Sequence, residues 1–163
     1  MNTSIRVWRL IFSGAFVGSL LISTASAQDV LGTWSCSMLV EDPANQASVS
    51  AEFEMTYRAD GTYERMGVMT IVMAALQIDT AISIAESGNW KKESMVLTEI
   101  RSELEFASAD EAPSQMEQMI VQQMQTAAEA SNEESMTITS LTATSMSLQP
   151  GGGEDGEMMC DKS

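Results

Sequence analysis

The sequence contains no histidine. That absence removes the usual general base, the Ser-His-Asp and Cys-His arrangements of nucleophilic catalysis, and most zinc sites. Positive charge is almost as scarce. Beyond residue 27 only Arg58, Arg65, Lys91, Lys92, Arg101 and Lys162 are basic, against 23 acids, a net charge of −17. Such a surface offers too few cations to replace phosphate counterions and repels nucleic acid and anionic lipid, so nucleic-acid binding is excluded. It attracts basic partners or divalent cations, and it also keeps a chain soluble. A phosphate-cradling loop is missing too. The Gly151-Gly152-Gly153 run has neither a buried strand before it nor a helix after it, and reads as a linker.

Long apolar runs are limited to one, Leu10 to Ile22, broken by Ser13, Gly14, Gly18 and Ser19. Arg6 and Arg9 precede it, and Ala25-Ser26-Ala27 follows with small-residue cleavage chemistry. The run is too short to span a bilayer. Residues 1–27 are therefore expected to be a cleaved secretory signal peptide. No cysteine stands at the junction, so no lipid anchor is expected. The mature protein would begin at Gln28 and live in the periplasm or outside the cell, with no membrane span. Its 136 residues make one domain, 28–163.

Cysteine is sparse but well placed. Cys36 and Cys160 sit near the two ends of the mature chain, and in an oxidising compartment such a pair forms a disulfide. That needs Cα atoms within about 7 Å, so the first and last segments would be neighbours. The lesser reading makes Cys160 a thiolate ligand beside Met158 and Met159.

What the chain does have is alternation. Leu31 to Val40 reads as a strand, with Asp42, Pro43 and Asn45 turning the chain. Val49, Ala51, Phe53, Met55 and Tyr57 then alternate with Ser50, Glu52, Glu54, Thr56 and Arg58, one face buried and one wet. Asp60-Gly61 is a tight hairpin signal before Thr62-Tyr63. Met66 to Ala75 is apolar without a period; strand and short helix compete there, and strand is favoured. Alternation resumes at Leu76, Ile78, Ile82 and Ile84, and Gly88-Asn89 marks a turn before Trp90. Ile100, Leu104 and Phe106 are expected to face inward, with Glu99, Arg101, Glu103 and Glu105 in water.

From Glu111 the period becomes helical. Met116, Met119, Ile120, Met124 and Ala127 or Ala128 form one stripe, and Ser114 and Glu117 have capping-box spacing. An amphipathic helix is expected over about 114–130. Its polar face has no Lys or Arg, which argues against a membrane-surface role. Met136, Ile138, Leu141, Met146 and Leu148 supply two more strands, and Met158 to Lys162 is the closing one.

About eight strands in sequential order suggest a mainly β, antiparallel up-and-down meander. Only barrel closure would bring its first and last strands together, as the cysteine pair requires. Eight strands leave an interior that is filled or holds one small ligand. The helix is inserted before the last strands.

Gly32-Thr33-Trp34 at the opening of the first strand resembles the Gly-x-Trp opening of lipocalins and related calycin barrels. Asp60-Gly61-Thr62-Tyr63, Gly88-Asn89-Trp90 and the terminal cysteine strand resemble bacterial exported lipocalin-like domains over most of residues 29–162. The resemblance implies that Trp34 plugs a closed end and that the protein carries a ligand. Lys162 is the nearest substitute for the family's arginine over the tryptophan.

Residues expected to line a ligand cavity or core are Trp34, Phe53, Met55, Tyr57, Ile82, Ile84, Leu104 and Phe106. Met116, Met119 and Met124 are a candidate surface for a protein partner, in an interaction or inhibitor module of the cell envelope. Thirteen methionines follow Met1. They fill irregular cores, and Met66, Met69 and Met73 or the helical set are also a remote option for Cu(I). Glu154, Asp155, Glu157 and Asp161 gather carboxylates without calcium-loop spacing. Glu52/Glu54 and Glu103/Glu105 lie on outward faces, not in a cleft as a glycosidase pair would. No catalytic residue, metal site or cofactor is expected. The leading expectation is a non-enzymatic binding protein for a small apolar ligand.

Overall fold

The computed structural model describes residues 27–151 and 156–163. The expected leader, Ala27 apart, lies outside the described residues, as do Gly152 to Asp155. Strands β1 (Gly32–Asp42), β2 (Ala47–Tyr57), β3 (Thr62–Met73), β4 (Ile78–Glu93) and β5 (Val96–Ser108) lead to helix α1 (Gln115–Ala128). Strands β6 (Glu133–Leu141), β7 (Ser145–Pro150) and β8 (Met158–Lys162) follow. Each strand pairs antiparallel with the next, and β8 pairs with β1, closing a barrel of eight strands.

Period-2 patterning places the core. On β2, Ala51, Phe53, Met55 and Tyr57 are buried while Glu52 and Glu54 are exposed. The hairpin that follows turns at Gly61, whose φ of +83° favours glycine, and Asp60 Oδ1 accepts from the Thr62 backbone N–H at 3.0 Å. The apolar run beginning at Met66 is strand as far as Met73. Leu76 does not alternate with Ile78; it sits in a 3-10 turn and is exposed.

The seam forms where the cysteines predict. Cys36 and Cys160 are direct register partners on β1 and β8, their Cα atoms 4.0 Å apart, and they are disulfide-bonded. Strand β8 has five residues, so the covalent link reinforces a short ladder. Beside it Trp34 is wholly buried; its Nε1–H donates to Val30 O at 2.8 Å, and Lys162 Nζ lies 5.0 Å from the ring centroid.

Two further sequence expectations need correction. Gly88-Asn89 is no turn: β4 runs unbroken through it, and the chain reverses at Ser94, with φ of +58°. Gly88 is there for close approach. A Cβ on it would lie 2.2 Å from Ile100 O and 2.9 Å from a Tyr63 ring carbon. The register also shifts at this point. Ser87 pairs with Glu103 but Gly88 with Arg101, leaving Ser102 as an extra residue. The bulge swaps the faces of β5. Leu97, Glu99 and Arg101 point inward on one side of it and Leu104 and Phe106 on the other. Glu99 and Arg101 are therefore not on the wet face, and Ile100 is not on the inward one.

Strand β6 pairs only with Val96 to Ile100, so the rest of β5 has α1 beside it instead of a strand. Ser114 caps the helix in a reciprocal capping box with Glu117. The side of α1 toward the barrel carries Glu117, Ile120, Val121, Met124, Gln125 and Ala128, all half-buried. Gln125 Nε2 donates to Leu104 O at 3.3 Å, and Thr80 Oγ1 donates to Glu117 Oε1 at 3.0 Å. These polar contacts rotate the helix, and Met116 and Met119 face outward, exposed.

Replacing both cysteines by serine is expected to lower stability by about 2–5 kcal/mol while the far-ultraviolet β signature persists. Thermal unfolding followed by circular dichroism checks this. An unchanged melting temperature would show that the seam is held by its ladder alone.

Candidate functional site

Parity brings charged side chains into the barrel at one level of four strands. Arg65 on β3 lies between inward Tyr63 and Met69. Glu86 on β4 lies between Ile84 and Gly88. Glu99 and Arg101 on β5 lie between Leu97 and Leu104, and Glu134 stands near the start of β6. Arg65, Glu86 and Glu99 are buried, at 7%, 6% and 1% exposure. Burying a guanidinium costs several kcal/mol unless carboxylates surround it, and here they do. Arg65 Nη2 pairs with Glu99 Oε2, while Nη1 reaches Glu134 Oε2 at 3.4 Å and Glu86 Oε2 at 3.5 Å.

Tyrosines complete the network from the Trp34 end. Tyr57 OH donates to Glu99 Oε1 at 2.6 Å, and Tyr63 OH donates to Glu86 Oε1. Tyr57 also meets Trp90 edge-on, with ring centroids 5.4 Å apart. From the helix end the Phe53 ring lies 5.7 Å from the Arg65 guanidinium carbon. Arg101 links the network to α1: its Nη1 donates to Ala128 O at 3.1 Å and Ser131 O at 3.2 Å, and its Nε lies 3.5 Å from Glu86 Oε1. That last approach is an ion-pair contact without hydrogen-bond geometry. The buried Nε atoms of Arg65 and Arg101 have no hydrogen-bond partner among the described residues.

The electrostatics follow from this packing. Burial alone would lower the Arg65 pKa, but the charges of Glu99, Glu134 and Glu86 outweigh it and raise the value. Burial pushes the Glu99 pKa up, against the opposing pull of Arg65 and Tyr57. Burial likewise raises both tyrosines. On α1, the Ser114 backbone N–H, then the Ser114 and Thr80 hydroxyls, hold Glu117 down to about 2. Glu86 and Glu99 each accept from a tyrosine on one oxygen and from Arg65 on the other.

The network divides the interior. At the Trp34 end Trp34, Tyr57, Tyr63, Leu97, Met136 and Leu148 are at most 1% exposed. At the helix end Ala51, Phe53, Ile71, Ile82 and Ile84 are buried, but inward-facing Met38, Val49, Met69, Leu104 and Phe106 are only partly so. The expected cavity or core residues thus fall into two groups. Trp34, Met55 and Tyr57 belong to the filled end. Phe53, Ile82, Ile84, Leu104 and Phe106 belong to the end beside α1. Met124 is half-buried toward the barrel, apart from exposed Met116 and Met119.

The methionines of the early segment are not gathered. Met66 points out and Met69 and Met73 point in, so the trio does not converge on one ion. Among the described residues no cluster of three or more Cys, Asp or Glu is arranged to hold a metal, and Glu157 accepts from Thr139 Oγ1 at 2.7 Å. Glu154 and Asp155 of the carboxylate group lie outside the described residues. No described helix is long and apolar enough to cross a membrane.

The charged network is the element that sequence reasoning missed. Its signal was the odd spacing of Leu97 and Leu104, which cannot both face inward on a regular strand. No protein-family model matches the chain, and no curated protein matches it.

Arg65→Met is expected to cost about 3–5 kcal/mol at about pH 7, because it strands buried carboxylates without their cation. A raised folded-state pKa, as for Glu99, means stability complete below the unfolded glutamate value and lost as pH rises through the folded one. Removing Arg65 strengthens that trend. Urea unfolding at about pH 7 and about pH 5 should therefore show the gap to wild type narrowing at the lower pH; an unchanged or wider gap would contradict the assignment.

Proposed function

We propose that the protein is an exported, lipocalin-like binding protein, without catalytic activity, that holds a small apolar molecule at the helix end of the barrel. The observation carrying this reading is the asymmetry of burial along the interior. A barrel of eight strands has room for its own side chains or for one small ligand. Below the Arg65 network the side chains fill the space. Beside α1, Met38, Val49, Met69, Leu104 and Phe106 turn inward and still reach solvent. Inward apolar groups left partly wet gain from a ligand that covers them, at about 25 cal/mol per Å² of apolar surface removed from water.

Two further features favour the reading. The Gly32-Thr33-Trp34 opening, with Lys162 over the tryptophan ring, is similar to the closed end of calycin barrels. The buried cross-seam disulfide fits an oxidising compartment. In this reading α1 lies beside the entrance, held to β4 through Thr80 and to β5 through Leu104 and Arg101.

Native mass spectrometry of the mature protein from its own compartment is expected to show a small-molecule adduct lost on denaturation. Phe106→Asp, at the helix end, should carry less of it. A clean unliganded mass for the wild type would contradict the carrier role.

A further inference from the structure

The outer wall of the barrel carries a second apolar surface, unrelated to the interior. Three neighbouring residues there are large, apolar and exposed: Met66 at 62%, Met159 at 55% and Val68 at 41%. They stand on strands whose outward positions line up in register. One row runs Asp161, Ser35, Glu54, Met66, Ala85, Glu105 from β8 round to β5. The next runs Met159, Ser37, Glu52, Val68, Ser83. Small serines and alanines between the larger side chains leave two shallow grooves, of about 590 and 510 Å³, that share Met66.

The charge around these grooves has one sign. Their lining includes Glu52, Glu54, Glu64, Glu103, Glu105 and Asp161, with Glu86 of the buried network behind them, and no Lys or Arg. Arg58 pairs with Glu64 at 2.6 Å and Glu86 with Arg65 and Arg101, and the other five have no ion-pair partner among the described residues. A solvated acidic wall requires no methionine at its centre. An apolar floor ringed by unpaired carboxylates matches a segment with apolar residues flanked by Lys or Arg. A second copy of this chain would bring its own charge of the same sign, with only six bases beyond residue 27 to offset it.

We propose that this wall, centred on Met66, Val68 and Met159, docks a cationic amphipathic segment of a partner protein. Met66, Val68 and Met159 themselves point away from the interior, although the grooves beside them reach in as far as Leu104 and Phe53.

The test uses a synthetic peptide of leucine and lysine repeats, titrated calorimetrically into the mature protein. Two controls replace leucine by serine, or lysine by glutamate. The leucine–lysine peptide is expected to bind and to weaken with added salt. The serine control should bind about tenfold less tightly and the glutamate control not at all. Met66→Ser with Met159→Ser should weaken the leucine–lysine peptide by about tenfold. Met116→Ser with Met119→Ser, which removes as many exposed thioethers from α1, should leave it unchanged. Both pairs are exposed, and an unchanged melting temperature verifies that each variant is folded. Failure to bind, equal binding of the serine control, or loss through the helix pair would overturn the proposal. So would self-association abolished by the wall pair, which would make a second copy the occupant.

Discussion

A guanidinium inside a barrel must be surrounded by acceptors, and Arg65 meets that demand by drawing carboxylates from β4, β5 and β6 onto one point. The consequence is architectural. Each of those strands must deliver its glutamate at the same level, which fixes the relative stagger of half the barrel. Tyr57 extends the network to β2 and Tyr63 adds a second anchor on β3, and Arg101 carries it to the C-terminal carbonyls of α1. There its positive charge is favourable against the helix dipole. Three carboxylates face two guanidiniums, and the tyrosine hydroxyls supply further donors to Glu86 and Glu99. Such an arrangement contributes little net stability over an apolar core of the same shape, while losing one partner is severe. Its effect is to specify one register.

Everything else in the interior is arranged around that level. Toward Trp34 the side chains interdigitate, with the disulfide across the seam and Lys162 closing the end over the indole. Toward α1 the barrel is less complete, because β6, β7 and β8 are short and the far half of β5 lacks a strand partner on that side. A helix cannot continue the ladder. It offers side chains instead, and Gln125 and Glu117 satisfy single groups where a strand would satisfy a row. The inward apolar residues there therefore keep contact with water. The outer wall obeys a different logic, since its methionines and acids are set by strand parity and owe nothing to the core.

Much of this was legible in the residues. Strict alternation on β2 gave its buried face, Asp60-Gly61 its hairpin, and Ser114 with Glu117 the start of the helix. Closure followed from Cys36 and Cys160, because a meander has no other way to bring its ends together. The errors on β5 share one cause. Period-2 reasoning assumes an unbroken strand, and the bulge at Ser102 reverses every face beyond it. Glu99 and Arg101 consequently looked like solvated neighbours of Glu103 and Glu105. Gly88-Asn89 looked like a turn because glycine's freedom of conformation and its lack of a side chain leave the same mark in a sequence. On the helix, the methionine stripe was offset because Glu117 and Gln125, polar by composition, are the residues that reach the barrel.

The division of the interior by the Arg65 network is the claim from which the proposed binding role follows. Xenon enters apolar space that side chains leave open and stays out of packed regions. A crystal of the mature protein under xenon pressure should show the gas among Met69, Leu104 and Phe106 and none among Trp34, Leu97 and Met136. Xenon at the Trp34 end, or none beside α1, would contradict the account.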